Sequence, residues 1–284
     1  MKIISTPAEI ASWSVEHHAA GETISLVPTM GFFHEGHLQL MRQARALADL
    51  SVVSLFVNPI QFGPGEDLDR YPRDFPRDAS LAEQEGVEVL FAPEAGTMYP
   101  APALTRIQVS QLTEYLCGAD RPGHFDGVCT VVAKLFNLIK PEYAVFGRKD
   151  YQQLAVIRRM VSDLNWDVLV VDHPIVRETD GLAMSSRNKY LSISERQTAL
   201  CLSRAIRLAR RMVREGLRDC AEMLSGLKKM IATDDSARIE YLMVVDKGSL
   251  IPQSIITPDS LLALAVRVGS TRLIDNTVLF DDEE

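Results

Sequence analysis

The chain has 284 residues, 46% of them hydrophobic and 24% charged, and carries a net charge of −8. That length predicts a sizeable core divided between two domains of unequal size, and the composition is that of a globular protein. The acidic balance argues against general nucleic-acid binding, and no stretch approaches the ~18 uninterrupted apolar residues of a membrane span.

The N-terminal Met1-Lys2-Ile3-Ile4-Ser5-Thr6-Pro7 has no apolar signal core, which predicts a cytoplasmic protein. Ile24–Val27 reads as a short buried strand, and Leu38, Met41, Ala44, Arg45 and Ala48 recur at helical spacing after it. The intervening Pro28-Thr29-Met30-Gly31-Phe32-Phe33-His34-Glu35-Gly36-His37 is therefore a strand-to-helix turn. A helix starting there aims unpaired N–H groups and a positive dipole end at the turn, which suits a polyphosphate. Gly31 and Gly36 allow close backbone approach, and His34 and His37, three apart, share one helix face as donors to phosphate oxygens. Read singly, each histidine is a helix cap or a surface residue, and the pair supplies only two of the ligands a zinc ion needs.

Ser51–Val57, Val87–Phe91, Tyr143–Phe146 and Val168–Val171 read as further buried strands separated by helical patterns. This alternation predicts an α/β fold, a Rossmann-like parallel sheet with helices on both faces and ligands at the carboxyl ends of its strands. The His34–His37 turn, Asn58 to Gln61 and Gly147 to Asp150 each follow such a strand and are expected to converge. The polar stretch 63–73 is a loop, either a surface connection or a mobile flap over a reactive intermediate.

The strand pattern ends near Ile175 to Thr179, which divides the chain into a Rossmann-like nucleotide-binding domain, 1–176, and a smaller α+β C-terminal domain, 177–284, able to act as a lid. In the latter, Ala199, Leu202, Ile206, Ala209 and Val213 mark one face of a helix, and Ile239–Val245 and Leu261–Val268 read as strands. The tail Asp281-Asp282-Glu283-Glu284 is expected to be solvated and disordered. Cys117, Cys129, Cys201 and Cys220 form no CxxC pair and read as reduced, mostly buried thiols.

Five segments in order, the turn above, Phe56-Val57-Asn58-Pro59-Ile60-Gln61-Phe62-Gly63, Gly123-His124-Phe125-Asp126-Gly127-Val128, Phe146-Gly147-Arg148-Lys149-Asp150-Tyr151-Gln152-Gln153 and Met184-Ser185-Ser186-Arg187-Asn188, resemble the pantothenate synthetase family within the HxGH nucleotidylyltransferase superfamily. Arg272-Leu273-Ile274-Asp275-Asn276 is similar to the family's closing segment but contributes little chemistry. The resemblance implies ATP-dependent condensation of pantoate with β-alanine through a pantoyl adenylate, giving pantothenate, AMP and pyrophosphate in a cytoplasmic homodimer. It implies His37 as proton donor with His34 and Lys149 beside it on the phosphates. The ATP-binding set it implies is Met30, Gly31, Phe32, Phe33, His34, Glu35, Gly36, His37, Gly147, Arg148, Lys149, Asp150, Val176, Met184, Ser185, Ser186 and Arg187.

Gln61 and Gln153, helped by Asn58, are by the same resemblance the ligands of pantoate and β-alanine, and Mg2+ accompanies ATP with Asp78 as its protein ligand. Two side-chain amides suit a substrate bearing a carboxylate and hydroxyls, whereas a phosphorylated acceptor, as in a plain nucleotidylyltransferase, would call for Arg or Lys. Asp150 either contacts the ribose or orients Lys149, and Arg121 and His124 are structural or interfacial. Phe32 and Phe33 read as packing residues. Arg148 departs from the family, which usually has an acidic residue there, and its positive charge is expected to alter local pairing or ATP affinity.

Overall fold

The computed structural model describes residues 1–281, so the acidic tail expected to be disordered lies, beyond Asp281, outside the described residues. Six strands, β1 (Lys2–Ile4), β2 (Ile24–Thr29), β3 (Leu50–Leu55), β4 (Val89–Phe91), β5 (Tyr143–Gly147) and β6 (Leu169–His173), form one sheet in the order β1-β4-β3-β2-β5-β6. Every pairing in it is parallel. Four of the apolar runs thus become the interior strands β2 to β5 of an α/β sheet, whereas the run expected as a buried strand at Val168–Val171 forms the edge strand β6, with Leu169 exposed and the rest half-buried. β1 escapes that pattern because it is a three-residue edge strand in which only Ile4 is buried.

From β2 the chain winds outward through β3 to β4, then returns to β5 on the other side of β2 and continues to β6. The order reverses between β2 and β5, the position at which such sheets bind ligands. Pro28 lies where the β2–β5 pairing ends. Ile24 accepts from the N–H of Glu142 on the β5 side, so Leu26 and Pro28 face the same side by the two-residue period of a strand. Pro28 has no N–H to give. β2 accordingly pairs with β5 only through Leu26↔Ala144, while its pairing with β3 runs on to Thr29↔Leu55.

Tertiary contacts divide the chain into two units. The first comprises Met1–Val109, Arg121–Arg148 and Gln153–His173. One core cluster within it packs Phe33, Leu38, Met41 and Ala44 against Val27 and Val53 of the sheet; of the face read from periodicity in helix Glu35–Leu47, Leu38, Met41 and Ala44 are buried, whereas Arg45 is exposed and Ala48 is the C-cap. The second comprises Ser110–Asp120, Lys149–Gln152 and Pro174–Glu284. It contains the antiparallel sheet β7 (Ala237–Asp246), β8 (Ser260–Val268) and β9 (Thr271–Val278) in that order. Leu202, Ile206, Ala209 and Val213 of helix Cys201–Arg214 and Met223 and Leu227 of helix Cys220–Ile231 enter its core. Ala199 ends the preceding helix Ile193–Ala199 rather than starting the longer one.

Candidate active site

The turn after β2 is held by one carboxylate. Gly31 and Phe32 both lie in the left-handed region, at φ +84° and +53°. A non-glycine residue there costs about 1–3 kcal/mol and persists only where the surroundings impose it. Asp78, in helix Phe75–Gln84 and 1% exposed, imposes it: its two oxygens accept the N–H groups of Phe32 at 2.6 Å and Phe33 at 2.8 Å. Burial pushes the Asp78 carboxyl upward, opposed by those two N–H bonds and by Arg77. Gly31 leaves little room for a side chain at this positive φ, since a Cβ would stand 3.1 Å from Asp78 Oδ2 and 3.2 Å from Leu55, which would have to give way.

Asp78, expected as a magnesium ligand, has each of its oxygens on a backbone donor and anchors the turn. Among the described residues no cluster of three or more His, Cys, Asp or Glu is arranged to hold a metal. Phe33 is fully buried, so its side chain packs in the core as its sequence reading expected, and its N–H is spent on Asp78. The Arg77 guanidinium lies 5.3 Å from the centre of the Phe32 ring.

His34 is the N-cap of helix Glu35–Leu47, in extended conformation, and its N–H donates to His37 Nδ1 at 3.3 Å. A neutral His37 whose Nδ1 accepts carries its proton on Nε2, which makes Nε2 the donor. The two imidazoles lie 4.1 Å apart, centre to centre. Glu35 and Gly36, in the first helical turn, complete the segment; Glu35 is engaged by Arg42 at 2.5 Å and by Gln39 at 2.7 Å.

Beyond β3, Pro59–Gln61 forms a short 3-10 turn whose side chains are wired together. Asn58, 1% exposed, donates to Gln61 Oε1 at 3.0 Å and to the Gly127 carbonyl at 3.1 Å, and accepts from the Tyr99 hydroxyl at 2.9 Å. Gln61 in turn donates to the Met30 sulfur at 3.1 Å, linking this turn to the first motif. Asn58 therefore orients Gln61. Burial pushes the Tyr99 hydroxyl up to about 12, which keeps it a donor at every physiological pH.

The third motif supports the same turn. Helix His124–Ile139 presents Gly127, where a Cβ would meet Ile60 O at 2.5 Å and Gln61 Cα at 2.6 Å, so only glycine permits the contact. The Gln61 carbonyl lies 2.8 Å from His124 Nδ1 and accepts from Arg121 at 3.4 Å. Arg121 also forms a two-armed pair with Glu66, at 2.7 and 2.6 Å, inside the 63–73 loop. Both residues thus have a structural task. Burial works most strongly against the charged Glu66, but the hydrogen bonds and charge of Arg121, joined by the Gly63 backbone and His124, together outweigh it and hold the carboxyl below its usual range. The loop itself is a run of tight turns, with Glu66 N–H on Gly63 O and Arg70 N–H on Asp67 O.

At the end of β5, Gly147 leads into the turn Arg148–Asp150. Arg148 is paired with Asp172 of β6, which also receives Arg158. Burial raises the Asp172 carboxyl less than the two guanidinium hydrogen bonds lower it, so it stays ionised and offsets the charge that Arg148 brings. Gln153, half-buried, is the third residue of helix Tyr151–Asp163.

The remaining residues belong to the second unit. Lys149 Nζ lies 3.8 Å from Asp150 Oδ2. Met184 N–H donates to Val176 O at 2.9 Å, closing the base of a hairpin that delivers Ser185, Ser186 and Arg187. Ser185 Oγ accepts from Arg187 N–H at 3.3 Å, the cap of the 3-10 helix Ser186–Tyr190. Among the sequence-derived residues, the first unit links Met30 to Gln61 and Gln61 to Asn58, and His34 to His37, while Arg148 is engaged by Asp172. Tyr99, Asp172 and the full part played by Gly127 were not expected, because each acts through a partner distant in sequence.

A doubly wound parallel sheet that carries paired histidines on a strand-to-helix turn at its switch point defines a nucleotide-binding enzyme of the HxGH class. A sequence model of the pantoate-beta-alanine ligase family matches residues 2–278, and the chain belongs to that family. It is 55% identical over 279 residues to the pantothenate synthetase of Heliobacterium modesticaldum, covering 98% of this chain and 99% of that one. The crystal structure of pantothenate synthetase from Thermus thermophilus superposes with a TM-score of 0.93 at 46% identity, covering 99% and 100% of the two chains. A pantoate-beta-alanine ligase from Francisella tularensis, complexed with beta-gamma ATP and beta-alanine, gives a TM-score of 0.83 at 30% identity, covering 99% and 98%.

Proposed function

We propose that this chain condenses pantoate with β-alanine at the expense of ATP, forming pantothenate, AMP and pyrophosphate through pantoyl adenylate. The observation that carries the reading is the His34–His37 pair on a turn clamped by Asp78 at the switch point of the sheet, in a chain of this family over nearly its whole length. A pantoate carboxylate oxygen attacks the α-phosphorus, and the bond to pyrophosphate breaks. The attacking group has no proton to lose, so the step needs stabilisation of charge rather than a base. His37 Nε2–H supplies a donor to the phosphate oxygens, with His34 beside it. Lys149 adds a point charge, and Ser185, Ser186 and Arg187 hold the β- and γ-phosphates through hydroxyls and a guanidinium.

Gln61, pre-set by Asn58, and Gln153 receive the acceptor through amide donors and acceptors. The β-alanine amine then attacks the acyl carbon, and AMP leaves with the electron pair of the acyl–oxygen bond. Magnesium would enter with the nucleotide substrate and offset the charge of its phosphate oxygens, with Asp78, which anchors the turn, as the candidate protein ligand. We propose further that the protein is a homodimer, as a measurement of mass in solution would decide.

The deciding experiment mixes protein, ATP, magnesium, pantoate and β-alanine, omits each in turn, and follows AMP and pantothenate. Both products are expected only in the complete mixture. Pyrophosphate release that needs neither acceptor would replace this reading with simple nucleotidyl transfer.

A further inference from the structure

The closing segment does more than complete the fold. Asp275 and Asn276 are consecutive in β9 and are 2% and 6% exposed, so two polar side chains on opposite faces of one strand are both buried. β9 is an edge strand, paired only with β8. Leu273, two residues before Asp275 and on its face, enters the apolar core of this unit, and stability alone would favour an apolar residue next to it.

What the two side chains hold is specific. The Asp275 carboxylate forms a two-armed pair with Arg177, at 2.8 and 3.1 Å, and accepts the Asn276 N–H at 2.9 Å. Arg177 lies opposite Ala183 in the hairpin between Val176 and Met184, and donates across it to Gly181 O at 3.2 Å. That hairpin is the stem from which Ser185, Ser186 and Arg187 project. On the other side, Asn276 Nδ2 donates to the backbone carbonyl of Lys149 at 2.8 Å. Adjacent residues of one strand therefore grip the two segments of this unit that carry phosphate-binding groups.

We propose that Asp275 and Asn276 are positioning residues that fix the spacing between Lys149 and the Ser185–Arg187 turn, so that both address one triphosphate. The inference rests on the nucleotide-binding part of the function above. Neither residue touches substrate. They act through Lys149 and Arg177, as a rigid bar between them, and a strand is suited to this because neighbouring side chains point to opposite faces at a fixed separation.

Asn276→Ala and Asp275→Asn decide it, with nucleotide affinity read by calorimetry. ATP Kd should rise about fivefold in N276A, the equivalent of one ordinary hydrogen bond, and at least about tenfold in D275N, where a charged pair is lost. In a Lys149→Ala background, N276A should add nothing further, because its route runs through Lys149. The reaction of β-alanine with preformed pantoyl adenylate should keep its rate, since no triphosphate takes part in it. That readout separates positioning from a merely structural role, which would lower the melting temperature and leave Kd unchanged.

An unchanged Kd in both variants, or additive losses with K149A, overturns the proposal. Asn276→Ser, which keeps a short donor, takes the place of N276A if the latter does not fold; failure of both to fold assigns the amide to folding alone and also overturns it. Because Kd is measured without turnover, an unaltered protein that binds ATP but forms no adenylate would sink the reaction assigned above while the role of Asn276 is still decided.

Discussion

At the scale of residues, the turn after β2 concentrates strain and relief in a few atoms. Phe32 is held in the left-handed region because both its N–H and that of Phe33 end on Asp78. Asp78→Asn turns one of those acceptors into a donor facing a buried N–H. It should lower stability by about 1–3 kcal/mol and reduce turnover with it, as denaturant titration and steady-state rates would show; unchanged stability would mean that the turn keeps its shape without the clamp. His37→Ala removes the Nε2 donor while the core behind it stays filled by Phe33 and Met41. The protein should stay folded and lose kcat by about 10²- to 10³-fold, the usual cost of one lost transition-state donor, and retained kcat would remove His37 from the chemistry. Arg148 is the converse case. Its charge is answered by Asp172, which Arg158 also meets, so Arg148→Gln should move the ATP KM by less than about threefold. A tenfold change would show that the guanidinium acts on the nucleotide directly.

At the scale of elements, local pattern was readable and long-range partnership was not. Strands β2 to β6 announced themselves as apolar runs, and helix Glu35–Leu47 as a periodic face, because burial on one side or both leaves a periodicity in the sequence. β9 left none, because Asp275 and Asn276 interrupt its apolar alternation for the sake of Arg177 and Lys149. Likewise Asn58 was legible as a site residue, but Tyr99, which fixes its amide, lies 41 positions away and has no local mark. The 63–73 loop shows the same dependence. Its link to helix His124–Ile139 is the Glu66–Arg121 pair, with Glu66 below the ordinary carboxyl value of 4.5. A depressed folded-state value means that the pair stabilises above that ordinary value and is lost as pH falls through the lowered one. Amide protection of Glu66 and Arg70, corrected for intrinsic exchange, should therefore be constant near neutrality and fall by up to about fivefold on acidification below the ordinary value. Arg121→Gln should show the low value at all pH, and a loop equally protected in both proteins would mean that the pair does not hold it.

At the scale of the whole molecule, the path of the chain decides how it unfolds. The chain passes between its two units at 109/110, 120/121, 148/149, 152/153 and 173/174, so no single linker separates them. Segment 110–120 is fastened within the second unit: Gln152 donates to Leu112 O and Tyr115 O at 2.8 Å each, and Arg272 reaches Asp120 at 3.6 Å. Losing the second unit releases that segment together with Lys149–Gln152, which includes the first residues of helix Tyr151–Asp163 in the middle of the parallel fold. Cooperative unfolding is the expected consequence. The chain supplies its own probes, because both of its tryptophans, Trp13 and Trp166, lie in the first unit, whereas helices and strands of both units contribute to far-UV circular dichroism. Tryptophan fluorescence and circular dichroism should then trace the same denaturation curve. A dichroism transition that precedes the fluorescence one would show the second unit melting alone, and five crossings would prove insufficient to couple the two cores.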